Sequence, residues 1–215
     1  HQTVIGQEAL EQMALADAYP DFVVGCVGGG SNFAGIAMPF VGQNIKNGKK
    51  TRIIAVEPTA CPSMTKGVYA YDYGDTEKLT PLLKMHTLGH DFIPAGFHAG
   101  GLRYHGMGPM VSHVYELGLI EARAVLQTDV FESAVSFTRS EGIIPAPESA
   151  HAIATVRDLA EECKQSGEEK NILFNMSGHG HVDMAAYDNY LEGKLEDYEH
   201  PEEKIKEAMK SLPKI

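Results

Sequence analysis

Three short apolar runs punctuate the chain: Phe22-Val23-Val24-Gly25-Cys26-Val27, Thr51-Arg52-Ile53-Ile54-Ala55-Val56 and Asn171-Ile172-Leu173-Phe174-Asn175. Each is too short for a helix and is bounded by turn-forming or polar residues, so each predicts a buried strand. Ala122 to Gln127 makes a fourth. Between the strands the apolar residues change to helical spacing. Val4, Ile5, Ala9, Met13 and Leu15 predict a helix over 4–18, stopped by Tyr19-Pro20; a second follows from Asn32 to about Asn47. Thr128 or Asp129 caps a third through Ser140, and Glu148 to Lys164 forms a fourth. Strand alternating with helix predicts an α/β class: a three-layer parallel sheet with helices on both faces. In the tail 201–213, Ile205, Ala208, Met209 and Leu212 recur at helical spacing and predict a helix capping the domain or a partner surface. Between Thr59 and Gly118 both periods fail. So long an irregular stretch in one domain is usually functional.

Ligands of parallel sheets collect at the carboxyl ends of the strands, and the first strand ends in Val27-Gly28-Gly29-Gly30-Ser31-Asn32. Three glycines in a row let successive backbone N–H groups converge on an anion with no Cβ between them. Ser31 and Asn32 are good N-cap residues for the helix that follows, whose positive end then faces the same anion. The contiguous glycines differ from the staggered dinucleotide fingerprint, and no Lys-Ser or Lys-Thr follows as a P-loop requires. The alternative is a ligand-free strand-to-helix turn.

Composition narrows the class. A formal net charge of −11 argues against a nucleic-acid surface. Cys26, Cys61 and Cys163 are odd in number and far apart, outside any C-x-x-C, which fits neither a disulfide framework nor a zinc knuckle. A reducing, cytoplasmic location is the expectation, with no membrane span and no signal segment. The chain opens without an initiator methionine, as a fragment or processed form does. At 43% hydrophobic residues it can build a substantial core.

Three segments taken together are more specific than any strand pattern: Gly28-Gly29-Gly30-Ser31-Asn32, Glu141 to Ala152 (EGIIPAPESAHA), and Asn175 to Asp183 (NMSGHGHVD). In order and separation they resemble the tryptophan synthase beta chain. His86 to Pro94 (HTLGHDFIP) with Gly101-Leu102-Arg103-Tyr104-His105-Gly106 is similar to the divergent second type of that family. The resemblance runs over essentially all 215 residues. It implies a type II pyridoxal 5'-phosphate fold, with the cofactor's phosphate on Gly28, Gly29, Gly30, Ser31 and Asn32. Ser177, followed by Gly178, would approach the pyridine nitrogen. A neutral hydroxyl there leaves the ring largely unprotonated, a milder electron sink suited to β-elimination and β-replacement. By its residues alone, Ser177 also reads as a helix N-cap. Glu148 matches a family glutamate beside the cofactor ring, and is equally a favourable first-turn carboxylate.

Arg103 stands where the better-known type of beta chain has an aspartate near the indole site; with His105 it is a substrate-site candidate, and it could contact a carboxylate or phosphate. His179, His181 and Asp183 alternate in a loop as metal ligands can, but no third histidine or cysteine stands at ligand spacing, so no metal site is expected from side chains. The family often holds a monovalent cation on backbone carbonyls. His86 and His90 read as solvent or core histidines.

The Schiff-base lysine of that family sits upstream, in a Ser-His-Lys-x-Asn context that does not occur in these 215 residues. Lys46, Lys49, Lys50, Lys66, Lys78 and Lys84 stand in polar turns or helix ends. The resemblance therefore implies that residues 1–215 are a carboxyl-terminal, phosphate-binding domain with an active-site insertion at about 59–118, the lysine-bearing domain being absent. The parent enzyme would condense L-serine or O-phosphoserine with indole, as a homodimer, with a tryptophan synthase alpha chain as a further partner. Two alternatives remain: a non-catalytic phosphate-binding scaffold, or a related type II lyase such as threonine synthase or serine dehydratase.

Overall fold

The computed structural model describes residues 1–214. Along the chain run α1 (Val4–Leu15), β1 (Phe22–Cys26), α2 (Ser31–Asn47), β2 (Arg52–Pro58), β3 (Val68–Asp72), β4 (Leu83–Thr87), α3 (Pro109–Glu116), β5 (Glu121–Val125), α4 (Gln127–Glu141), α5 (Pro147–Ser166), β6 (Ile172–Phe174), α6 (Met184–Leu191) and α7 (Glu202–Ala208). β5, β2, β1 and β6 form, in that order, one wholly parallel sheet. Every residue of β1 is buried, so both faces of the sheet must be covered. Alternation along the strands assigns the covers. Val23, Ile53 and Ala55 point into a cluster with Ala9 of α1 and Phe33, Ile36 and Phe40 of α2. Phe22, Val24, Ile54 and Val56 point the other way, onto Ala152 and Leu159 of α5. The expected three-layer α/β architecture is present.

The irregular stretch is more ordered than its sequence suggests. It holds an antiparallel hairpin of β3 and β4, with Tyr69 opposite His86, and the helix α3. Neither has a clean apolar period, because what stabilises the hairpin is polar. Asp72 lies in its core: its two oxygens take Thr87 Oγ1 at 2.6 Å and His90 Nδ1 at 2.6 Å. His86 and His90 are both core residues, His86 lying between the rings of Tyr69 and Tyr115. α6 is a further helix not legible in the sequence. The tail helix caps the domain itself: Ile205 is buried with Cys61, Leu88 and Phe92.

One cap is supplied from far along the chain. Helix α4 begins at Gln127, with Leu126 in the cap position, so neither Thr128 nor Asp129 is its N-cap. Instead the carboxylate of Asp197 accepts the Thr128 backbone N–H at 2.9 Å and its hydroxyl at 2.6 Å. It serves as a tertiary cap at the helix's positive end.

On α5, His151 is wholly buried and donates from Nδ1 to the Pro147 carbonyl at 2.7 Å. Burial holds its pKa down at about 4 from an ordinary 6.5. Between those values the unfolded chain binds a proton that the folded one refuses. The stability His151 confers is thus complete above pH 6.5 and is lost as pH falls towards 4, by about 3 kcal/mol. Urea unfolding at pH 7 and pH 4.5 reads this loss. It should shrink in His151→Asn, which keeps the donor to Pro147 and cannot titrate.

Candidate functional site

Backbone hydrogen bonding stops abruptly after β1. The Val27 N–H still donates to Val56 O at 2.8 Å, and the first bond of α2 runs from Ala34 N to Gly30 O at 2.8 Å. Between them, the N–H groups of Gly28, Gly29, Gly30, Ser31 and Asn32 have no acceptor among the described residues. Gly30, Ser31 and Asn32 carry the unpaired N–H groups of any helix start, and Gly28 and Gly29 extend that row ahead of the helix. Five in succession at a helix start make an anion-binding concavity.

The turn is held open from below and behind. Gly29 O accepts the Gly108 N–H at 2.8 Å. Gly30 sits at φ 107°, where a side chain would be strained and its Cβ would lie 3.1 Å from Met107 Sδ. A Cβ on Gly28 would lie 2.6 Å from the Gly101 carbonyl oxygen. These two positions need glycine for different reasons, one conformational and one steric.

The residue at the cap position of α2 is Gly30, and neither Ser31 nor Asn32 caps the helix with its side chain. Asn32 is used elsewhere. Its Nδ2 donates to Cys26 O at 3.3 Å, and its Oδ1 accepts from Asn175 Nδ2 at 2.7 Å. It therefore ties the turn to the ends of β1 and β6, fixing the amides in place instead of satisfying one of them.

A cavity of about 410 Å³ opens beside this turn. It is lined by Gly28 to Asn32, by Ala146, Glu148, Ser149, Ser177 and Gly178, by Gly101, Leu102 and Tyr104, and by Cys26 and Gln2. The structure thus brings the glycine turn, Glu148, Ser177 and Gly178 into one space from three distant parts of the chain. No lysine lines it. Glu148 stands in the first turn of α5, and its Oε1 accepts the Gly101 N–H at 2.9 Å. Ser177 is in a loop seven residues before α6, whose cap position is held by Asp183, so it is not a helix N-cap. Cys26 is buried beside Ser177 and Glu148. Burial above all, aided by the Glu148 charge, pushes its thiol up to about 11, so it is neutral near pH 7.

Arg103 and His105 do not join this space. Arg103 lies over the Phe97 ring and donates to the Phe97 carbonyl. His105 contacts Tyr73 O through Nε2 at 2.8 Å and lies 3.9 Å from Asp72. Arg103 is held by the ring and carbonyl of Phe97, and His105 is drawn to the hairpin side by the Tyr73 carbonyl and the buried Asp72 carboxylate. His179 and His181 face one another, Nδ1 of His179 accepting the His181 N–H at 3.3 Å, and among the described residues no three His, Cys, Asp or Glu converge on a metal position. No helix among them is long and apolar enough to cross a membrane.

Sequence reasoning missed Ser149, Cys26 and Tyr104 as walls of this cavity. Ser149 and Cys26 were within reach, since Ser149 adjoins Glu148 and Cys26 ends the strand that carries the turn. A larger hollow of about 620 Å³ lies between residues 91–95 and α7, but none of the residues singled out in the sequence as site candidates lines it.

Residues 1–178 match the family model described as "Pyridoxal-phosphate dependent enzyme". The chain belongs to that family. The cavity fits the family's cofactor on its own chemistry, with free amides for a phosphate dianion and a neutral hydroxyl in the same lining. The chain is 59% identical over 200 residues to tryptophan synthase beta chain 2 of Aquifex aeolicus, covering 92% of this chain and 46% of that protein. It is 57% identical over 196 residues to the Methanosarcina mazei protein of the same name (91% and 44%), and 57% over 199 residues to that of Pyrococcus abyssi (93% and 45%). The chain spans about half the length of the curated relatives it matches. Among solved structures, a T.th. threonine deaminase matches with a TM-score of 0.60 at 19% identity, covering 83% of this chain and 50% of that one. A fungal L-serine ammonia-lyase from Rhizomucor miehei matches at 0.62 and 18%, covering 90% and 56%. At those identities the likeness is one of fold.

Proposed function

We propose that this chain is the phosphate-binding half of a tryptophan synthase beta-type enzyme, which joins L-serine or O-phosphoserine to indole with loss of water or phosphate. The observation that carries the reading is the row of five acceptor-free amides, Gly28 to Asn32, in one cavity with Ser177. The identity to tryptophan synthase beta chains, above half over nine-tenths of the chain, supports this chemistry over others of the family.

Pyridoxal phosphate supplies an electron sink for a carbanion next to its imine carbon. This chain's residues do the rest of the positioning. The glycine-turn amides and the positive end of α2 hold the dianion without a cationic side chain. Asn32 and Asn175 keep those amides aligned. Ser177 donates to the ring nitrogen and keeps it unprotonated. Glu148, held by the Gly101 amide, presents a carboxylate beside the ring, where it orients the ring and can take a proton from a neighbouring heteroatom. Arg103 and His105 are turned away from this cavity, so a direct substrate role for either requires the 99–106 loop to move.

The lysine that forms the Schiff base lies outside this half. Titrating the 215-residue chain with pyridoxal phosphate should therefore give saturable binding, followed by quenching of cofactor fluorescence. No Schiff-base absorbance band should appear at roughly 410 nm. A stoichiometric band there would assign the lysine to this chain and overturn the division of labour. Absence of any binding would favour a domain that has kept only the shape of the site.

A further inference from the structure

Ser149 is wholly buried in the first turn of α5, one residue after Glu148. Its Oγ lies 3.1 Å from the backbone nitrogen of Ser177 and 3.3 Å from Ser177 Oγ. The first contact has one possible direction, and it biases the direction of the second. A backbone N–H only donates, so the Ser177 amide occupies a lone pair of Ser149 Oγ. The Ser149 proton must then find an acceptor, because a buried hydroxyl left unpaired is costly. Among the described residues the acceptor in reach is Ser177 Oγ. Ser177 Oγ thus receives a proton on its inner side, and its own O–H is directed outward, into the cavity. The competing acceptor there is the Cys26 sulfur, a weak one. The Glu148 Oε1 on the same wall is already engaged by the Gly101 N–H.

We propose that Ser149 is a positioning residue that occupies one lone pair of the Ser177 hydroxyl and turns its proton into the cavity, favouring a ring nitrogen that accepts and is therefore unprotonated. The proposal rests on the placement of Ser177 at the pyridine nitrogen of pyridoxal phosphate. It adds the reason a serine there selects one protonation state. A free hydroxyl can accept from a protonated nitrogen as readily as it donates to a bare one. A hydroxyl with one lone pair occupied and its backbone amide held by a buried partner has half the acceptor capacity left, so donation is favoured.

The test uses the 215-residue chain loaded with pyridoxal phosphate carrying 15N in its ring, and the near-isosteric variant Ser149→Ala. The ring-nitrogen resonance should move towards the position it takes in Ser177→Ala, and cofactor affinity should fall about fivefold, the worth of one neutral hydrogen bond. In the double variant Ser149 has nothing left to orient, so its resonance should coincide with that of Ser177→Ala alone. A Ser149→Ala resonance identical to that of the unaltered chain overturns the proposal, as does a further shift in the double variant. If Ser177→Ala itself leaves the resonance unmoved, the placement of Ser177 fails and the proposal fails with it.

The unaltered chain gives a second measurement that depends on no variant folding. The Ser177 amide, bonded to a buried oxygen, should exchange with solvent about tenfold more slowly than that of its exposed neighbour Met176. Equal rates overturn the anchoring.

Discussion

Replacing Gly29 by aspartate should weaken pyridoxal phosphate binding by about 100-fold or more, while Gly29→Asn, of the same shape and no charge, should cost about tenfold or less. Gly29 is the position at which charge can be separated from shape. It does not have positive φ, and a Cβ built on it meets only ring carbons of Tyr104, at 3.1 to 3.4 Å. Tyr104 is half exposed and can swing away. The same change at Gly28 would drive Cβ to 2.6 Å from one backbone oxygen and 2.9 Å from the Cα of Leu102, so a loss there would report a broken turn.

An aspartate at Gly29 puts a full negative charge beside amides aimed at a dianion, in a cavity lined by no cationic side chain. Fluorescence titration of the cofactor against the two variants reads the difference directly. Added salt should narrow it, because the cavity is open to solvent. Equal affinities for the aspartate and asparagine variants would remove the electrostatic basis of the assignment.

The second large effect is expected on the fate of the substrate. Ser177→Asp places a carboxylate where a neutral hydroxyl now faces the cavity. A carboxylate beside a pyridine nitrogen raises its proton affinity and deepens the electron sink. In the complete enzyme, tryptophan formed per serine consumed should fall about tenfold, while cofactor affinity changes no more than about threefold, because the phosphate grip is untouched. Product analysis alongside equilibrium dialysis separates the two quantities. A cofactor loss as large as the change in partitioning would mean that Ser177 acts in retention instead. Glu148 on the same wall opposes ionisation of a second carboxylate. The partitioning change should accordingly grow as pH is raised.

Much of the frame was legible because its signals are local. The stretches Phe22 to Cys26 and Ile53 to Val56 are buried on both faces and so are apolar throughout, as central parallel strands must be. The turn at Gly28 could be read because three adjacent residues without side chains have few purposes at the end of such a strand. Glu148 and Ser177 could be placed near it only through the resemblance, since each has an equally good local explanation. For Ser177 that explanation, a helix N-cap, disappears once α6 is found to start at Met184.

What the sequence by itself determined is the alternating α/β frame and the position of the glycine turn, because both depend on contacts within a few residues and on the two periods of backbone geometry. What only the tertiary structure decided is which polar group each polar residue meets. Asn32 looked like a cap and is a cross-tie to Asn175; Asp197 caps a helix 69 residues away; Arg103 turns towards Phe97 and His105 towards the hairpin, and Ser149 turns towards Ser177. The physical reason is that hydrophobic burial needs only the right period, whereas a buried hydrogen bond needs a particular partner at about 3 Å, and nothing in the spacing of a chain names that partner.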